Sequence, residues 1–467
     1  MSGKGSSSLS KKRSRTDCEL KWKKNVETKL NKETGKYVAI PSSLNLLTDD
    51  LRREILKVWE ENSCRHTGNA MSSYEVYKKT SLDSQATHPA EPTKREVLEV
   101  LKAVPSYKVG TLEMYKRFPH AYDVFMLRHD CSAIHSYLID TVLDRIVNSA
   151  SSKEAFHSPQ PQPEMHPITA GVSFPQLSPL PSSPPPTLSA PGFALRAADF
   201  GCGTGRIAAM LVHHPALRCL FTYDQEPAML RRCLLNTVRT AAACGHHDEV
   251  HLLPTARLDT EERVVLTPAD RDRKHDGERE LEGGAAGGRR GRVLRLVSRP
   301  CPFQAVQDGF LSHNGAGPGL GQGHTPCHLI VCAWALSYLV RREWTGGSWC
   351  AAVDAVVGEW IRLLDPTDAD AAVVIIETLG NGATTPTRHS VLGEHLEAKF
   401  GFQRRWVRTD YTFETMEEAV HMCRFFFGGD RMKDQLEVLE DDNGCGKVLL
   451  KECTGIWTLW KPRISIP

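Results

Sequence analysis

The segment Ala198-Asp199-Phe200-Gly201-Cys202-Gly203-Thr204-Gly205 constrains this chain more than any other. It follows a short apolar run from Ala194, broken only by Arg196, and it precedes Ile207, Met210 and Leu211 at helical spacing. Glycines at alternate positions suit a tight turn that brings backbone close to a ligand, because glycine reaches positive φ without a Cβ clash. Downstream, Cys219-Leu220-Phe221-Thr222-Tyr223 reads as a second strand ending at Asp224. Pro227 suits a first helical position, and Leu230, Leu234 and Val238 continue that helix. Strand, turn, helix, strand, helix is the pattern of a parallel α/β sheet.

The same alternation returns later. His328 to Ala333 predicts a strand, and Val353, Val356, Val357, Trp360, Ile361 and Leu364 line one helix face. Val373 to Glu377 is a strand of the buried type, with Glu377 at its end. Leu392, Leu396 and Phe400 make a helix closed by Gly401. Trp406 to Phe413 alternates like a strand. Thr415-Met416-Glu417-Glu418 is a capping box opening a helix through Phe427, with Gly428 as its stop. Val448 to Leu450 and Ile456 to Trp460 are strand-like.

Ahead of the glycine turn, Ile134, Leu138, Val142 and Ile146 recur at fours and form an apolar helical stripe. Residues 44–60 predict a short amphipathic helix (Leu51, Ile55, Leu56, Trp59), and a second begins near Thr93. The expected organisation is an N-terminal extension, 1–92, largely disordered with short helices. Capping helices over 93–150 and a Pro/Ser-rich linker over 151–191 follow. The α/β domain is expected over 192–467, with a disordered insertion at about 256–326, inside which Val293 to Val297 is an apolar, strand-like piece.

The turn is selective about what it can hold. A dinucleotide site needs a third glycine where this chain has Arg206, and the Gly-Lys-Ser/Thr ending of a phosphate loop is absent. Asp199, just before the turn, attracts a cationic group and repels a pyrophosphate. Asp224, at the end of the second strand, can accept from a ribose diol. A ligand with a ribose, a positive charge and no phosphate describes S-adenosylmethionine. The competing reading is a packed turn flanked by two surface aspartates.

At these residues the chain resembles class I S-adenosylmethionine-dependent methyltransferases. Asp199 to Gly205 resembles the family's first motif. Tyr223-Asp224-Gln225-Glu226-Pro227-Ala228-Met229-Leu230 resembles the second, whose acidic residue holds the ribose. His328 to Leu339 resembles the fourth, with Ala333-Trp334-Ala335-Leu336 lining the cofactor floor. Further blocks are similar to a little-characterised, mostly bacterial subgroup. They are Tyr122 to Met126, Glu377 to Gly380, Trp406 to Tyr411, Arg424 to Gly428 and Glu452 to Trp457. The resemblance implies a Rossmann-like fold with a mostly parallel seven-stranded sheet and helices on both faces. It implies cofactor contacts from Asp199, Gly201, Cys202, Gly203, Gly205, Asp224, Gln225, Ala333 and Trp334. The family's acidic residue after the third strand is missing if Val293 to Val297 is that strand, since Ser298-Arg299 stands there. If Val250 to Leu253 is the third strand, Asp259 takes the role.

Methyl transfer needs alignment and exclusion of water more than a dedicated base, so no single catalytic residue announces itself. The catalytic candidates are Glu377, Asp410 and Tyr411, with Tyr122 and Arg128 on the capping helices. Each also has a structural reading: Arg408 and Asp410 as a surface ion pair, Tyr122 as core. Cys332-Ala333-Trp334-Ala335 does not read as the Asn/Asp-Pro-Pro-Tyr of adenine or glutamine amino-group methylation. The fourteen cysteines include no Cys-x-x-Cys and read as buried thiols, not a metal site.

The formal net charge is only +2, so the whole molecule is no electrostatic nucleic-acid binder. Residues 1–36 hold eleven Lys or Arg against four Asp or Glu, a basic tail that suits nucleic-acid contact or nuclear import. No membrane-spanning stretch or signal peptide is apparent, and the expected compartment is the cytoplasm or nucleus. The leading expectation is a methyltransferase on an unidentified acceptor, a small molecule ahead of RNA or protein. An inactive, partner-binding version of the fold and a nicotinamide oxidoreductase are the other readings.

Overall fold

The computed structural model describes residues 49–63, 94–103, 115–157, 193–245, 247, 249–253, 264–266, 292–300, 326–340, 348–427, 432–439 and 446–461. The basic tail, the Pro/Ser-rich stretch and Asp259 lie outside them, as does Gly428.

The strands are β1 (Leu195–Phe200), β2 (Leu217–Asp224), β3 (Glu249–Leu253), β4 (Val264–Leu266), β5 (Val293–Pro300), β6 (Leu329–Ala333), β7 (Ala372–Asn381), β8 (Gln403–Arg408), β9 (Tyr411–Phe413), β10 (Leu436–Leu439), β11 (Lys447–Leu450) and β12 (Glu452–Trp460). Nine form one sheet in the order β4-β3-β5-β2-β1-β6-β7-β12-β8. The run from β3 to β7 is parallel, whereas β12 is antiparallel to both β7 and β8, and β4 to β3. The chain builds outward from β1 through β2 to β5, then returns to add β6 and β7 on the other side. The order therefore reverses between β1 and β6, and a Rossmann-like sheet binds its ligand at that reversal.

The sheet is thus larger than the seven strands expected. β5 fills the place beside β2, within the stretch expected as an insertion, and β3 with β4 extends the edge beyond it. Leu294, Leu296 and Val297 of β5 are buried, which fixes it between two parallel neighbours. Ser298 and Arg299 lie within this third strand, which runs on to Pro300 beside Asp224, and the Ser298 hydroxyl lies 2.7 Å from that of Thr222.

Helices cover both faces, as a parallel sheet requires. On one side lie α1 (Asp49–Ser63), α4 (Ser132–Ser136), a π-helix (Tyr137–Leu143), α5 (Asp144–His157), α6 (Arg206–Leu211) and α7 (Pro227–Cys244). The stripe Ile134, Leu138, Val142 and Ile146 is fully buried there, although the helix carrying it widens to π geometry midway. On the other side lie α8 (Trp349–Leu363) and α9 (Val391–Phe400). Helix α1 belongs to the segment expected as an extension, yet Leu51, Ile55, Val58 and Trp59 are buried against α7 and its neighbours. Leu56, expected on the apolar face, is 41% exposed, and Val58 takes its place.

A third apolar cluster joins α2 (Lys94–Ala103), α3 (Pro119–Met126), α10 (Met416–Phe427) and a small sheet in the order β10-β11-β9. Phe125 stacks on Tyr411 at 4.8 Å and on Phe426 at 4.3 Å between ring centres. Helix α10 opens on its capping box: the Glu418 N–H donates to Thr415 Oγ1 at 3.1 Å, and Glu418 Oε2 accepts from the Glu414 N–H at 3.1 Å. The ribbon of β8 and β12 in the large sheet bends into that of β9 and β11 in the small one. At the bend the Asp410 carboxylate accepts from the Glu452 N–H at 3.0 Å. A side chain there replaces a backbone partner, so the ribbon turns without orphaning an amide.

Candidate functional site

The glycine turn is anchored at the carboxyl end of β2, where the N–H groups of Gly201 and Cys202 donate to the Tyr223 carbonyl at 2.7 and 3.0 Å. Gly201, Gly203 and Gly205 have φ of +69°, +54° and +88°. At Gly205 a Cβ would stand 2.8 Å from Cys233 Cα, so no larger residue fits between the turn and α7. From behind, the Asn236 amide of α7 donates to the Thr204 carbonyl at 2.9 Å. That amide also donates to Asp123 at 3.1 Å, and Asp123 accepts from Arg232 Nε at 2.7 Å. Helix α3 and the glycine turn therefore share one buried polar network.

Asp199, the penultimate residue of β1, is 1% exposed, and among the described residues neither carboxylate oxygen has a well-formed hydrogen bond. Burial, then the Asp224 charge, pushes its pKa up to about 7, while the Ala208 N–H and Arg206 pull the other way. Asp224 ends β2 and is already oriented: Oδ2 accepts from the Gly203 N–H and Oδ1 from the Glu226 N–H, each at 2.9 Å. Burial raises its pKa too, against the N–H groups of Glu226, Gly203 and Gln225. Each oxygen keeps a lone pair for a further donor. Cys202 is buried in the turn, its thiol pushed well up by burial, and Gln225 is half-buried beyond Asp224.

Across the sheet, Ala333 ends β6 and Trp334 follows with φ +53°, where a bulky residue is strained. Its N–H donates to the Ile376 carbonyl at 2.7 Å, which holds it there. The Arg206 guanidinium lies 4.0 Å over the indole ring. Trp334 thus gives ring surface to Arg206, so stacking on an adenine would have to use what remains.

The three catalytic candidates fall at different places. Glu377 does not end its strand: β7 continues to Asn381, because β12 pairs with it beyond the end of β6. It still stands beside the carboxyl end of β6, since Ala333 pairs with the preceding Ile376. Its Oε1 accepts from the Ser337 N–H at 2.8 Å. Asp410 is gripped by Arg408 through Nε at 2.9 Å and Nη2 at 2.5 Å, and it holds the ribbon bend besides. Tyr411 is buried between Phe125 and His129, the latter stacked at 4.2 Å, and burial pushes its phenol well up. Arg128 pairs with Glu418 at 2.8 Å and ties α3 to α10.

Two residues near the site, His129 and Tyr115, carried no motif signal. His129 Nδ1 lies 2.6 Å from Arg206 Nη1, and Tyr115 joins Tyr338 through their hydroxyls at 2.5 Å. Tyr122, already a candidate, reaches the turn itself: its Cε1 lies 3.7 Å from where a Gly203 Cβ would be. Lone histidines and tyrosines look alike in any sequence, and only the capping cluster brings these together.

No protein-family model matches the chain, and no curated protein matches it. Similar solved structures include an S-adenosylmethionine-dependent methyltransferase from Geobacter sulfurreducens, with 13% identity over 58% of this chain and 85% of that one, at a TM-score of 0.25. An arsenic(III) S-adenosylmethionine methyltransferase from Chlamydomonas reinhardtii has 14% identity over 58% and 65%, with a TM-score of 0.24. A phosphoethanolamine N-methyltransferase 2 from Haemonchus contortus has 12% identity over 58% and 49%, with a TM-score of 0.26. Among the described residues, no helix is long and apolar enough to cross a membrane.

Proposed function

We propose that the chain is an S-adenosylmethionine-dependent methyltransferase. The observation that carries this reading is Asp199, buried and without a well-formed hydrogen bond among the described residues, beside a glycine turn at the carboxyl edge of a Rossmann-like sheet. A buried carboxylate is costly unless something cationic meets it. Asp224, preset by two backbone N–H groups at the next strand end, suits a diol. The residues therefore fit a ligand with a ribose at one end and a positive charge at the other. Arg206, standing where a third glycine would be, disfavours a dinucleotide.

When bound, S-adenosylmethionine supplies an electrophilic methyl group on a sulfonium. Asp199 would hold the cationic end and Asp224 the ribose, with Gly201, Cys202, Gly203, Gly205, Gln225, Ala333 and Trp334 around them. The capping cluster excludes water and aligns the acceptor. Tyr411, its phenol held protonated at neutral pH, serves as a donor and not as a base. Asp410 is occupied in holding the bend, which leaves Glu377 of β7, beside the end of β6, as the group we assign to orienting the acceptor. A small-molecule acceptor agrees with the aromatic cover over the site and the near-neutral net charge.

Titration calorimetry with S-adenosylmethionine and, separately, NAD tests the cofactor, repeated on Asp224→Ala. Micromolar binding of the first alone, weakened in the variant, is the expected result. Binding of neither by folded protein would instead support a partner-binding fold.

A further inference from the structure

Arg206 has a defined place in the fold beyond excluding a dinucleotide. It follows the turn after β1, and Trp334 follows β6, so their contact bridges the two strand ends where the sheet order reverses. Arg206 is 6% exposed, and its guanidinium lies 4.0 Å over the indole with Nη1 2.6 Å from His129 Nδ1. A guanidinium can only donate, so His129 accepts at Nδ1 and carries its proton on Nε2, 3.4 Å from Glu452 Oε1. The charge is thereby fixed in position and orientation.

The Trp334 side is strained and incomplete. Its backbone is held at φ +53°, and its indole Nε1 is buried without a hydrogen-bond partner among the described residues. A buried N–H left unpaired is rare and calls for an explanation. Backbone strain of this kind clusters at ligand sites. A fixed positive charge beside an unused N–H donor complements an anionic oxygen, and a planar carboxylate offers two. The same wall disfavours a cationic group. Asp199 supplies the opposite sign nearby, near enough for Arg206 to act on its ionisation.

We infer that Arg206 and Trp334 together form a carboxylate-receiving site at the sheet reversal. This rests on the methyltransferase reading. The carboxylate comes from one of two sources: the amino-acid end of the cofactor, whose ammonium would meet Asp199, or the methyl acceptor.

The test is Trp334→Phe, which keeps a ring under Arg206 and removes only the donor. Calorimetry compares S-adenosylhomocysteine with 5′-methylthioadenosine, which lacks the amino-acid end. A loss of about tenfold for the first and none for the second assigns the site to the cofactor's carboxylate. If both affinities are unchanged, benzoate is titrated into the S-adenosylhomocysteine complex; binding by the wild type that fails in the variant assigns it to the acceptor. Equal weakening of both nucleosides, or no effect on either together with no selective benzoate binding, overturns the inference. If Trp334→Phe does not fold, Arg206→Lys, which keeps the charge and loses the flat donor face, gives the same readouts. Wild-type protein that binds neither nucleoside sinks the methyltransferase reading itself, a result distinct from a variant without effect.

Discussion

Asn236 donates its side-chain amide to the Thr204 carbonyl at 2.9 Å, so the glycine turn is held from behind by the helix that follows β2. The same amide meets Asp123 of α3 at 3.1 Å, and both side chains are 1% exposed. Removing it leaves the turn's carbonyl and Asp123 short of a donor. Asn236→Ala is expected to lower stability by about 1–3 kcal/mol and to weaken S-adenosylmethionine binding about tenfold. Urea denaturation and calorimetry read the two effects, and an unchanged affinity would show that the turn holds its shape unaided.

Asp123 carries more than one partner. Asp123→Ala would remove the carboxylate that Arg232, a residue 3% exposed, donates to from Nε at 2.7 Å. Breaking a buried pair from one side costs about 3–5 kcal/mol. The melting temperature is expected to fall accordingly, and a shift within error would mean that water reaches Arg232.

Gly205 tolerates no side chain. Its φ is +88°, and an added Cβ would meet the Cys233 backbone at 2.8 Å. Gly205→Ala combines left-handed strain of about 1–2 kcal/mol with an overlap that α7 must relieve by moving. Loss of cofactor binding with a lowered denaturation midpoint is expected. Wild-type affinity in this variant would refute the tight packing of turn on helix.

The Asp199 carboxyl gives the protein a pH signature. Its folded pKa, about 7, lies above the ordinary carboxylate value of 3.8. Between about pH 4 and 7 the folded chain keeps a proton that the unfolded chain has released. Stability of the ligand-free protein should therefore fall as pH rises through that window and level off above it. A cationic ligand prefers the ionised form, so binding should weaken by up to about tenfold per unit as pH falls below 7. Asp199→Asn should flatten both profiles. A cofactor affinity independent of pH in the wild type would remove Asp199 from the site.

Helix α1, Asp49–Ser63, is part of the packed core. Trp59 is 3% exposed within the core cluster that includes α7. Trp59→Ala should cost about 3–5 kcal/mol, as truncation of a large buried side chain does. A loss near zero by chemical denaturation would mean that α1 is detachable.

Local information in the sequence determined the elements and their edges. The apolar runs of β1, β2, β6 and β7 announce buried strands, and alternate glycines flanked by Asp199 and Asp224 announce the turn, because each signal spans a few adjacent residues. The capping box at Thr415 and the glycine stop at Gly401, with φ +77°, are of the same kind. Tertiary structure alone decided which strand lies beside β2, since the apolar pieces at 250 and 293 are equally strand-like and both joined the sheet. It also decided that β7 runs past Glu377, because β12 arrives from the far end of the chain to pair with it. The turn's companions were hidden for the same reason. Arg206 meets His129 across 77 residues, and Tyr115 meets Tyr338 across 223. Their signal is a distance between side chains, which exists only after the two clusters have packed. Where the hydrophobic and glycine patterns end, charge and aromatic placement are set by burial, and burial belongs to the whole fold.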